Sequence, residues 1–225
     1  KILFITHASK KIGMGHIFNM LTILNHFRND EIMILMHKKR NLGYTQFKKN
    51  LYNCSFFTSD DEFNKILTKF KPDIIFNDIL NTTDSYMKKL HNHSKMIVNF
   101  EDQGEGRKLA NLVFNPIFEK QKSLSHEFYG SKYACVRDEF RIWKNEILSK
   151  NVQKILISFG GTDQNNITEK TISIIEKNNI KYVEFILLLG FGYSHKKMIK
   201  QKIKNLQKNN FNIILVDGSD FMAKY

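Results

Sequence analysis

Short runs of Ile, Leu, Val and Phe alternate along this chain with longer segments whose apolar residues recur at helical spacing. That alternation restricts the fold more than any other feature. Near-continuous apolar runs are the mark of strands buried on both faces, and helical crossovers are what parallel strands need to connect. The pattern predicts strands at Ile2–Thr6, Ile32–Met36, Cys54–Phe57, Asp73–Asn77, Met96–Phe100, Leu112–Asn115, Lys154–Phe159, Tyr182–Leu189 and Phe211–Val216. Helices are predicted at His16–Phe27, Tyr44–Leu51, Asp61–Phe70, Ser85–His91, Asp138–Leu148, Ile167–Lys177 and His195–Gln207. Pro72 precedes one strand and Pro116 follows another, outside the ladders that proline cannot serve. The fold class expected is α/β, with two Rossmann-like halves. Glu119–Gly130 is polar and weakly patterned, and Asn145–Gln153 reads as a helix end and linker. The division expected is an α/β domain over 1–150 and the first part of a second over 151–225. Facing halves of this kind would hold a ligand in the cleft, outside the carboxyl ends of their strands.

Composition removes several functional classes. With 225 residues and 42% hydrophobic content the chain can bury a core, which excludes disorder. The net charge is +13, but only five of the 35 basic residues are Arg, and the excess is spread over both halves. A nucleic-acid footprint clusters and favours Arg, so no nucleic-acid partner is expected. The basic face of the helix around Lys196, Lys197, Lys200, Lys204 and Lys208 reads as a solvated amphipathic surface. Cys54 and Cys135 match no redox or metal spacing and read as reduced, buried thiols. No apolar run approaches the ~20 residues a membrane helix needs, so a cytoplasmic protein without membrane insertion is expected. The first residue, Lys1, opens directly into a strand, which suggests a piece of a longer chain.

Two glycine loops follow strands. In HASKKIGMGH, Gly13 and Gly15 flank Met14 just ahead of His16, where a helix opens. Glycines there let the backbone turn tightly and approach an anion at the helix start, although an ordinary turn uses glycine for steric reasons alone. At that positive helix end the charged imidazole is disfavoured, so His16 is expected to be neutral and able to accept a proton; packing or capping is the plainer alternative. His7, at the end of the first strand, is a candidate to support it. In ILISFGGTDQNN, Gly160, Gly161, Thr162 and Asp163 follow a strand, with Asn165 or Asn166 as helix N-cap. This loop suits a diphosphate, although Asp163 would repel one unless it turned elsewhere. It is neither a Walker A loop nor a dinucleotide fingerprint. Asn77 and Asp78 follow one strand, and Glu101 and Asp102 another; sugar binding or a solvated turn explains them equally well. No metal is expected, since no His pair has ligand spacing.

Together IGMGHIFNM, VNFEDQGEG with ANLVFNP, YACVRDEF and ILISFGGTD resemble the UDP-sugar hydrolases of the pseudaminic acid pathway, relatives in fold of MurG-like GT-B glycosyltransferases. The resemblance implies a GT-B fold whose second domain is truncated here. It also implies inverting, metal-independent and cofactor-free hydrolysis of a UDP-linked diacetamido-trideoxy hexose, with His16 as catalytic base. Gly13, Met14, Gly15, Arg137 in YACVRDEF and the GGTD loop would be substrate contacts. Similar sequences are sometimes joined to a nucleotidyltransferase domain, and the resemblance makes such a fusion an expectation here. Asn19 stands where that family usually has Arg, and Asn77-Asp78-Ile79 where it has an Asp-His-Tyr-like run. A glycosyltransferase of the same fold and a non-catalytic nucleotide-sugar-binding module are the alternatives.

Overall fold

The structure, a computed structural model, describes residues 1–9, 11–118, 124–143, 151–219 and 221–225. The chain divides into two compact units, Lys1–Ser9 with His16–Val136, and Lys10–Gly15 with Arg137–Tyr225.

The first unit is built on seven parallel strands: β1 (Ile2–Thr6), β2 (Ile32–His37), β3 (Cys54–Phe57), β4 (Ile74–Asp78), β5 (Met96–Phe100), β6 (Leu112–Asn115) and β7 (Glu127–Tyr129). Their order is β3-β2-β1-β4-β5-β6-β7, and each neighbouring pair is parallel. Helices α1 (Gly15–Leu24), α2 (Tyr44–Lys49), α3 (Asp60–Phe70) and α4 (Asp84–His91) make the crossovers. Alternation along each strand sends its side chains to opposite faces. On one face Leu3, Ile5, Leu35, Ile75, Ile97 and Val113 are buried against Phe63, Leu67 and Phe70 of α3 and Met87 and Leu90 of α4. On the other, a row of rings runs across the strands. Phe4 stacks on Phe76 at 4.9 Å, Phe100 on Phe114 at 5.6 Å and Phe114 on Phe128 at 5.3 Å.

Local chemistry sets the helix ends. Ser59 caps α3 by accepting the Glu62 N–H, while the Glu62 carboxylate reaches back to the Thr58 N–H. Helix α1 stops at Leu24, short of the expected Phe27, because the backbone tightens: His26 N–H bonds to Ile23 O and Phe27 N–H to Leu24 O. Strand β7 lies in the stretch that sequence left unpatterned; three residues are too few to display an alternation.

The second unit holds α5 (Asp138–Ile142), β8 (Lys154–Ile157), α6 (Ile167–Lys177), β9 (Glu184–Leu189), α7 (Lys196–Lys208) and β10 (Ile213–Asp217). Its sheet is parallel in the order β10-β9-β8. The core packs Ile172 and Ile175 of α6 and Ile199, Ile203 and Leu206 of α7 around Ile157, Leu187 and Ile213. The helix predicted at Asp138–Leu148 is present as α5, and its remainder from residue 144 lies outside the described residues. Two lysines of the basic α7 face, Lys196 and Lys200, pair with Asp217.

Candidate active site

In the first unit the chain leaves β1 toward β2 and leaves β4 toward β5, so the loops after these adjacent strands part. That is the topological switch point of an open parallel sheet, where ligands of such folds bind. Pairing in register sets Thr6 opposite Asp78, so Asp78 ends β4 at this point. His16 is the second residue of α1, and Glu101 is the first residue past β5.

These three residues meet. His16 Nδ1 donates to Asp78 Oδ1 at 2.6 Å, and Glu101 Oε2 lies 3.9 Å from the same nitrogen. Asn19, one turn along α1, donates to Glu101 Oε1 at 3.0 Å. Glu101 sits at φ +53°, a left-handed conformation that non-glycine residues seldom adopt, with its N–H bonded to Phe114 O at 2.8 Å. Because Nδ1–H is directed to Asp78, the neutral ring carries its lone pair on Nε2, for which no hydrogen-bond partner is seen among the described residues.

The expectation of an imidazole kept neutral by the helix start is corrected by its neighbours. Its own burial, the largest influence, pulls the His16 pKa down, but the Asp78 hydrogen bond and the charges of Asp78 and Glu101 outweigh it, and the net shift is upward from 6.5. Burial pushes the Asp78 carboxyl up to about 6, against the pull of His16. Burial first, then the charges of Asp78 and Glu101, push the Cys135 thiol up to about 11, which disfavours the thiolate.

Other candidates are placed differently. Asn77 is fully buried, donating to Asn99 and accepting from the Tyr86 hydroxyl. Asp102 is fully buried too and accepts from Thr82 N–H and Oγ1, Asn99 Nδ2 and Gly104 N–H. Both expected sugar contacts are thus committed inside the protein, to partners on a neighbouring strand, a loop and a helix that no local spacing announces. His7 bonds to Arg40 at 3.4 Å rather than to His16. His16, Asp78 and Glu101 offer one ligand atom each within 4.8 Å of one another, the spacing a metal ion would need. Nδ1 can serve a cation only by giving up its bond to Asp78.

In the second unit Gly160, at φ +71°, and Gly161 follow β8. Gly161 is required by the chain itself: a Cβ there would stand 2.6 Å from that of Met14, in the GMG loop whose Gly13 has φ +90°. Thr162 is buried. Asp163 turns back to cap α6, its two oxygens accepting from Ile167 N–H and Thr168 N–H at 2.8 Å each. The cap expected from Asn165 or Asn166 is therefore supplied by Asp163, and Asn166 makes no side-chain cap bond. Those two helix donors are already taken by a carboxylate. Arg137 Nη2 pairs with Glu139 at 2.7 Å, with its guanidinium 5.2 Å from the Phe140 ring centre.

No family model matches the chain. It is 26% identical over its whole length to MJ1062, an uncharacterised protein of Methanocaldococcus jannaschii, and spans about half (49%) of that protein. Among solved structures, MurG of Acinetobacter baumannii aligns with 99% of the chain and 69% of its own at a TM-score of 0.60 and 12% identity. A Listeria monocytogenes protein assigned as a UDP-N-acetylglucosamine 2-epimerase aligns with 97% of the chain and 69% of its own, at 0.53 and 12%. The fold is the Rossmann-like α/β fold of GT-B type. No described helix is long and apolar enough to cross a membrane.

Proposed function

We propose that this chain hydrolyses a UDP-linked sugar, of the diacetamido-trideoxy kind, at its anomeric carbon, as a step in nonulosonic acid (pseudaminic acid) or surface-glycan biosynthesis. One observation carries the reading: an imidazole at the switch point whose Nδ1 is held by a buried carboxylate at 2.6 Å, leaving Nε2 to accept a proton. In the reaction Nε2 takes a proton from water as its oxygen bonds to C1. The bond from C1 to the diphosphate oxygen breaks, UDP leaves with the electron pair, and the configuration inverts. Asp78 keeps the imidazole in the productive tautomer and stabilises the imidazolium that forms. Glu101, held by Asn19, adds negative charge beside both the imidazolium and the cationic carbon. The Gly13-Met14-Gly15 and Gly160-Gly161-Thr162 loops are assigned to the diphosphate, with Arg137 as a further substrate contact. No metal takes part in this scheme. A soluble nucleotide-sugar substrate implies a cytoplasmic setting, and the half-length match to MJ1062 leaves room for a fused domain, such as a nucleotidyltransferase.

The test is incubation of UDP-linked amino sugars with the protein, with and without sugar acceptors and with a chelator. UDP release in water alone, unchanged by the chelator, is the expected result. Release only with an acceptor would make it a transferase, binding without release a carrier module. Loss on chelation with recovery on adding Mg²⁺ or Zn²⁺ would assign the His16, Asp78 and Glu101 trio to a cation.

A further inference from the structure

A cavity of about 410 Å³ opens in the first unit at the carboxyl ends of β1 to β4, beside α3 and α4. Its size is in the range that accepts a small organic ligand. Phe57, Phe63, Ile79 and Tyr86 give it an apolar, largely aromatic side. Lys39, Arg40 and Lys89 give it a cationic one; Asp60 is its single acidic group and is already bonded to Lys89.

One histidine of this cavity, His7, has a buried donor without an acceptor. Arg40 donates to His7 Nδ1, so the proton of the neutral ring is on Nε2, and that buried atom has no hydrogen-bond partner. Burial, with Arg40 next, holds His7 neutral, its pKa lowered to about 4. His37 Nδ1 accepts the Lys39 N–H, which likewise leaves its proton on Nε2. A buried donor without an acceptor is costly, and a wall of donors facing an aromatic surface is complementary to oxygen-rich charge on a flat apolar body. We infer that this cavity is a binding site for a small organic phosphate, with its phosphate against Arg40, Lys39 and His7 and its apolar ester group against Phe57, Phe63 and Tyr86. The donors outnumber the two oxygens of a carboxylate, which favours a phosphate. Neither His16 nor a glycine of the two loops lines this cavity.

Calorimetric titration with phenyl phosphate, inorganic phosphate and phenol, each with and without saturating UDP, tests the inference. Phenyl phosphate is expected to bind one to one, at least about tenfold tighter than inorganic phosphate, with phenol silent, as a charged group plus an aromatic contact would give. UDP should leave this binding unchanged. Arg40→Gln should weaken it about fivefold or more, and the exposed Lys39→Gln, which removes no folded contact of its side chain, should weaken it less but measurably. No binding, equal affinity for the two phosphates, competition by UDP, or indifference to both substitutions would each overturn the site. None of these outcomes bears on UDP-sugar hydrolysis, which is read separately as UDP release.

Discussion

At the level of single residues, the hydrogen bond between His16 and Asp78 determines both where a proton sits and how tightly it is held. Asp78→Asn removes the acceptor and its charge, leaving burial as the main influence on the imidazole. The acidic limb of the kcat/KM profile, which the wild-type His16 places above pH 6.5, should move to lower pH, and turnover should drop on the order of 10²-fold or more through the lost tautomer. His16→Asn should cost on the order of 10²–10⁴-fold in turnover with UDP affinity little changed, as removal of a general base does. Asn19→Arg sets a cation against Glu101 and should also lower the limb, without the large loss of turnover; an unmoved limb would separate Glu101 from the imidazole. His16 could be singled out in the sequence because a GxGH run announces a helix start. Its partner's role could not, since Asp78 acts through a register with β1 that no local spacing encodes.

Among the elements, α6 is capped by a residue that sequence had assigned to a ligand. Asp163 accepts two of the helix's leading N–H groups, so Asp163→Ala should destabilise the protein by about 1 kcal/mol, typical of a lost N-cap, in urea unfolding. If that loop also holds a diphosphate, the same change frees two donors and removes a negative charge, and UDP should bind no more weakly than before; weaker binding would mean that the carboxylate itself touches the nucleotide. Gly160→Ala, at φ +71° in open space, should cost about 1 kcal/mol from backbone strain alone. Strand positions were legible because long Ile, Leu, Val and Phe runs leave little choice of conformation. The limits of α1 and the existence of β7 were not, since the first is set by a tightening turn and the second by pairing with β6.

For the molecule as a whole, three buried groups bend stability with pH in opposite senses. His7 binds its proton less well folded than unfolded, so stability should rise with pH between about 4 and 6.5. Asp78 binds its proton better folded, which lowers stability with rising pH between 3.8 and about 6 and offsets much of that gain. Above 6.5 only His16 remains, with a raised pKa whose stabilisation is lost as it deprotonates. Urea midpoints should therefore be nearly level from pH 4.5 to 6 and then decline toward pH 8.5, and Asp78→Asn, which removes the partner that raises the His16 pKa, should flatten the decline.

The chain's single tryptophan, Trp143, lies in the second unit, edge-on to Phe221 at 5.4 Å. Indole emission therefore watches only that half, while the stacked phenylalanines and the seven-stranded sheet are blind to it. Denaturation followed by fluorescence and by far-ultraviolet dichroism on one sample would coincide if both halves melt together. Any gap between the two curves would measure, without a label, how far one half survives the other.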